Sequence, residues 1–190
     1  MSDEIRFYAA DLAAYNNGVL HGVWIDADTD VDVMQDEINA MLRKSPYPNV
    51  MVKCPETGKQ VPSAEEWAMH DMEGLPKCFG EYSGLKAIAE YMELVEEQDS
   101  IDADNLRAIV DDYGSVENAK NALENNFCGI YESFKDYAEE TADEQIACYG
   151  KTKEVEWLSR YFDYEAFARD LKMDMHTIEL PSGDIAVFYA

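Results

Sequence analysis

Basic residues are scarce in this chain. Fifteen lysines and arginines stand against forty aspartates and glutamates, a net charge of −25 over 190 residues. Surfaces that bind nucleic acid neutralise phosphates with lysine and arginine, so a direct role on DNA or RNA is not expected. An anionic membrane repels the same charge. Long apolar runs are missing too, and none approaches the ~18 residues of a membrane span. The opening "MSDEIRFYAA" has neither the basic stretch nor the apolar run of a secretory leader, so the expectation is a cytoplasmic protein. The four cysteines, Cys54, Cys78, Cys128 and Cys148, show no C-x-x-C spacing, which fits reduced thiols rather than a disulfide or zinc framework. His21, His70 and His176 form no H-E-x-x-H pair. There is no G-x-S-x-G elbow, no P-loop and no G-x-G-x-x-G turn. "FCGIY" places Cys128 in an apparent strand, where a cysteine is more often buried filler than a nucleophile. The expectation is a protein that is not an enzyme and uses no cofactor and no metal.

What is present suffices for a folded core. Hydrophobic residues make up 47% and aromatics 12%, which argues against disorder despite the charge. "IRFYAA" (5–10) and "LHGVWI" (20–25) read as strands, joined by a helical turn that closes at Gly18. Asp30 is placed to cap a helix with the stripe Val31, Met34, Ile38, Met41 and Leu42, which Pro46 and Pro48 stop. "VMVKC" (50–54) reads as a third strand. From Ser63 the pattern turns helical. Ser63 and Glu66 have capping-box spacing. Leu85, Ile88, Met92 and Val95 then share one helical face, and Leu106, Ile109, Val110 and Tyr113 another, with Gly114 as stop. The last third mixes a strand at 127–132, a helix capped by Ser133, a helix in "YFDYEAFARDL" and a hairpin across "PSGD". The class is α+β, with a strongly acidic surface and three small modules: α+β over 1–62, helical over 63–113, and α+β over 114–190.

The acids are patterned, not merely numerous. Asp26, Asp28, Asp30, Asp32 and Glu37 occupy positions 1, 3, 5, 7 and 12 of a would-be EF-hand loop, with Asp36 beside the last. Position 6 should be glycine and is Val31, and a strand precedes the loop where a helix belongs. The alternative is an acidic strand-to-helix turn. A second cluster holds Glu96, Glu97, Asp99, Asp102, Asp104, Asp111 and Asp112 against only Arg107. A third, Asp136, Glu139, Glu140, Asp143 and Glu144, follows i, i+3, i+4, i+7, i+8 and forms one acidic helix stripe. Like charges four apart cost about 0.2–0.5 kcal/mol per pair, and solubility alone is reached more cheaply by alternating Glu with Lys. Acids four apart lie about 6 Å apart along a helix, against about 3.4 Å between phosphates on one DNA strand. Charge densities of the same order let such stripes stand in for phosphates. A merely solvated acidic surface is the alternative.

"IRFYAADLAAYNNGVLHGVWID", with Tyr15-Asn16-Asn17-Gly18 and Leu20-His21-Gly22-Val23-Trp24, resembles the opening of the ArdA-type antirestriction proteins. The likeness continues in "EEWAMHDMEGLP…FGEYSGL" (65–85), "FCGIYESFKDYAEE" (127–140) and "YFDYEAFARDL" (161–171), in family order over nearly the whole chain. The resemblance implies a small bacterial protein of a mobile genetic element. It implies an elongated homodimer of three modules that imitates bent duplex DNA and fills the DNA-binding groove of type I restriction–modification enzymes, on their methyltransferase and specificity subunits. It also implies an antirestriction motif in the last module, around Trp157, Tyr161, Phe162, Asp163, Tyr164 and Glu165, serving dimerisation. The chain departs from the family in length, with extra residues around "CPETGKQVPS" and in the middle helices, which changes the spacing between acidic patches. Charge permits the mimicry. A dimer carries twice the −25 of one chain, equal to about 85 Å of duplex, or on the order of 25 base pairs. A calcium-binding protein and an acidic adaptor for another basic partner stay open as alternatives.

Overall fold

In the computed structural model the described residues are 4–47, 51–53, 60–62, 67–148 and 160–190. They form an α+β protein whose chain divides into two compact units, 1–107 and 108–190.

The first unit is built on a three-stranded antiparallel sheet. Strand β1 (Arg6–Asp11) lies between β2 (Gly22–Asp26) and β5 (Trp67–Glu73). Phe7, Ala9 and Ile25 are fully buried on its core side. On the other side Tyr8 meets Trp24 edge-on at 5.6 Å, and the Arg6 guanidinium sits 5.0 Å over the Trp24 ring. Asp11 ends β1 and caps the short helix α1 (Leu12–Asn16) by accepting from the Ala14 N–H. Gly18 then takes φ +77°, the left-handed turn that Asn-Gly foretells. Helix α2 (Val31–Leu42) starts where expected, on Asp30, whose carboxylate accepts from the Asp32 N–H. It buries Met34, Ile38, Met41 and Leu42 and leaves Val31 half-buried. The expected third strand is seen as β3 (Met51–Lys53), paired with β4 (Gln60–Pro62), while Val50 and Cys54 lie outside the described residues.

The helix expected from Ser63 onward is corrected. Ser63 and Glu66 lie outside the described residues, and Trp67–Glu73 is strand β5, hydrogen-bonded to β1. By that pairing it belongs to the first sheet, although it lies past the expected module edge at residue 62. Ala9 pairs with Met69 and Tyr8 with Asp71, so His70 is an extra, bulged residue. Helix α3 (Leu85–Glu97) buries Leu85, Ile88, Tyr91 and Leu94, a face rotated slightly from the expected one, with Met92 and Val95 half-buried at its flank.

Helix α4 (Ala103–Tyr113) buries Leu106, Ile109 and Val110 and ends at Gly114, φ +73°. Helix α5 (Val116–Asn125), capped by Ser115, is an element that the sequence reading did not anticipate. A second antiparallel sheet follows in the order β6 (Phe127–Tyr131), β8 (Ile185–Tyr189), β7 (Met175–Glu179), with β8 central. Helix α6 (Phe134–Cys148) packs Tyr137 against Met175 and Val187, with Cys128, Tyr131, Leu171 and Ile185 around them. Helix α7 (Tyr164–Leu171), capped by Asp163, leads through a 3₁₀ turn into β7. Among the described residues no helix is long and apolar enough to cross a membrane.

Candidate functional site

The acidic turn at the start of α2 has a local structural explanation. Asp28 accepts from the Asp30 N–H at 2.8 Å and Asp30 from the Asp32 N–H at 2.9 Å, so both satisfy donors at a helix N-terminus. Negative charge there is favoured by the helix dipole. Strand β2 precedes the turn and the helix begins at Val31, which puts Asp36 and Glu37 on helix rather than in a loop. No non-glycine residue among those described has positive φ, and no group of three or more His, Cys, Asp or Glu among them is placed to hold a metal ion. The EF-hand geometry is absent from this segment. Asp32 and Asp36, one turn apart, project opposite the buried Met34 and Ile38, and both are exposed, as are Asp26 and Glu37.

The second cluster is different, because folding disfavours where it lies. Glu96 and Glu97 occupy the last turn of α3, and Asp111 and Asp112 the last turn of α4, with no basic residue in either turn. A carboxylate beside unsatisfied carbonyls at a helix C-terminus costs roughly 0.3–1 kcal/mol. Neutralising Glu96, as Glu96→Gln, should therefore raise the thermal midpoint by about one to three degrees at low salt. Scanning calorimetry checks this, and the gain should shrink as salt screens the dipole. The outward face of α3 begins earlier than the sequence reading had it. Glu90, Glu93 and Glu97 are all exposed at i, i+3, i+7, and Lys86 pairs with Glu90 at 3.2 Å. That spacing is visible in the sequence, interleaved with the apolar face of the same helix. Asp102 accepts from the Asp104 N–H, Asp104 pairs with Arg107 at 2.5 Å, and Asp112 meets His176 Nε2 at 2.6 Å.

Helix α6 shows the pattern in its clearest form. Tyr137, Ala138 and Ala142 face inward, and Asp136, Glu139, Glu140, Asp143 and Glu144 spread over the opposite side. Four of the five are exposed, and Glu139 is half-buried beside Lys135, 3.5 Å away and the helix's single basic residue. Asp136 and Ser133 cap the helix reciprocally: the serine accepts from the Asp136 N–H and donates to its carboxylate. Asp143 accepts from the Tyr164 phenol of α7 at 2.5 Å. That hydrogen bond, with burial second, holds the Tyr164 phenol above its ordinary pKa. Burial, and after it the charge of Glu140, do the same to Tyr131 on β6.

The structure thus joins two groups of candidate residues that the sequence keeps apart, the stripe and the aromatic motif region. Tyr161 and Phe162 are exposed, Asp163 caps α7, Glu165 lies in its first turn, and Trp157 falls outside the described residues. Such an arrangement can attract and fix a cationic surface through many weak contacts.

An acidic α+β protein with carboxylate-faced helices is the kind of molecule these features define. The family model described as antirestriction protein (ArdA) matches residues 7–185. This chain belongs to the ArdA antirestriction protein family, and with it to inhibitors rather than enzymes, whose partner in general terms is a restriction enzyme. A comparison with curated proteins gives no match.

Proposed function

We propose that the chain is a non-catalytic, cytoplasmic inhibitor of type I restriction–modification enzymes, acting as a homodimer that imitates duplex DNA. Its exposed carboxylates would occupy the phosphate positions in the DNA-binding groove formed by the methyltransferase and specificity subunits. The observation that carries this reading is α6. Five acids share the face turned from the core, against one lysine at its edge. Stability and solubility are both better served by alternating charges, so the uniform sign needs another reason, and family membership supplies one. The same logic extends to the exposed faces of α2 and α3 and to the acids ending α4. Binding would be steered by long-range charge, fast at low salt and weaker as salt rises.

The test is competition. A type I methyltransferase is bound to labelled duplex carrying its recognition sequence, and the protein is titrated in at two salt concentrations. Displacement near stoichiometric dimer at low salt, weakening at high salt, is the expected result. Retention of the duplex at both salts, across several type I enzymes, would overturn the reading.

A further inference from the structure

Tyr164 stands 21 positions from Asp143 in sequence, yet its phenol donates to Asp143 Oδ1 at 2.5 Å. At that length the contact is a charge-assisted hydrogen bond, about twice as strong as one between neutral groups. The phenol is itself held. Phe162 packs edge-on against the Tyr164 ring at 5.0 Å and tilted against Phe167 at 5.5 Å, and Asp163 caps the helix that Tyr164 begins. Asp143 lies at the centre of the outward face of α6 and stays exposed with the phenol bound.

A phosphate in duplex DNA is fixed by its backbone, whereas a carboxylate on a free aspartate samples several rotamers. Ordering such a side chain on binding costs roughly 0.5–1.5 kcal/mol. A phenol that occupies one lone pair leaves the other oxygen, and most acceptor capacity, open to a guanidinium. The ordering cost is then met in the free protein, before the target arrives.

Resting on the reading under Proposed function, we propose that Tyr164 is a positioning residue of the target-facing surface: it holds Asp143 in one geometry, so that the segment Tyr161–Glu165 forms part of the inhibitory face itself.

The test is a double-mutant cycle in the same competition assay, using wild type, Tyr164→Phe, Asp143→Asn and the double variant. Each is checked for thermal midpoint and for mass in solution. Tyr164→Phe should raise the concentration for half-displacement about three- to tenfold, with mass unchanged and the midpoint lower by no more than a few degrees. Asp143→Asn should act similarly, and the double variant should be no worse than Asp143→Asn alone. Equal potency of wild type and Tyr164→Phe would overturn the proposal. So would effects that multiply in the double variant, or a mass showing that Tyr164→Phe has dissociated a dimer, which would assign the phenol to assembly. If the wild-type chain itself displaces no duplex, the DNA-mimic reading falls, and this inference with it. Displacement by wild type with no change in Tyr164→Phe removes the inference alone.

Discussion

Neutralising all five acids of the α6 stripe together is expected to raise the concentration needed to displace duplex from a type I methyltransferase by about a hundred- to a thousandfold. The variant carries Asp136→Asn, Glu139→Gln, Glu140→Gln, Asp143→Asn and Glu144→Gln. An exposed ion pair contributes up to about 1 kcal/mol, so five lost contacts amount to roughly 3–4 kcal/mol, at about 1.4 kcal/mol per factor of ten. The same variant should unfold within a few degrees of wild type. Asp136 and Glu140, Glu139 and Asp143, and Glu140 and Glu144 are like charges four apart, each pair costing about 0.2–0.5 kcal/mol. Their relief offsets the loss of the Ser133 cap contact, the Lys135 pair and the charge on the Tyr164 acceptor. Loss of inhibition with a near-native midpoint is not what a misfolded variant shows, so calorimetry and competition together separate the two.

Asp136→Asn alone should shift displacement by less than about fivefold, since one contact among many is removed. Its carboxylate is already engaged with Ser133 in the helix cap. If that single change abolished inhibition while the fold survived, a hot spot would replace the distributed array. If the fivefold variant displaced duplex as well as wild type, α6 would lie off the target-facing surface.

The acid faces were legible because helical periodicity is local. Asp136 to Glu144 repeat at i, i+3, i+4, and acids of this number have nowhere to go but outward. Glu90 and Glu93 obey the same rule. Cap residues were legible for a similar reason: Asp30 and Ser133 lie beside the donors they satisfy. Strand β5 was not. Its register slips at His70, so Ala68 and Met69 are buried in succession and the alternation that marks a half-buried strand is broken. The same disturbance recurs in β6, where Phe127 pairs with Phe188 and Gly129 with Val187, leaving Cys128 as the extra residue. That places Cys128 against Tyr137, a packing role, as its position in a strand had indicated. Helix α5 hides because its inward residues are small: Ala119, Ala122 and Leu123 form too faint an apolar stripe to stand out. The Tyr164–Asp143 contact joins two helices, and no local pattern announces it.

Gly22→Ala should be the most damaging single methyl in the first unit, lowering its stability by about 3 kcal/mol, at the upper end for overpacking. Gly22 stands in β2 opposite Ala10, within the Leu-His-Gly-Val-Trp run, and its φ is not in the left-handed region. The reason for glycine is therefore space rather than backbone freedom. A Cβ there would lie 2.5 Å from the Ala9 carbonyl oxygen and 2.7 Å from the Tyr8 ring. The ring could swing away, at the expense of its contact with Trp24. The carbonyl cannot, because it belongs to β1, which is paired on both sides by β2 and β5. Urea unfolding should show a midpoint lower by about 1–2 M at an ordinary slope for a protein of this size. Gly80→Ala is the control, since nothing lies within 4 Å of a Cβ at that position, and it should unfold like wild type. Adding Tyr8→Ala to Gly22→Ala removes the ring and leaves the carbonyl, so stability should not return. Full recovery in that double variant would show that the ring alone demands glycine, and a wild-type midpoint for Gly22→Ala would show that β1 and β2 can part without cost.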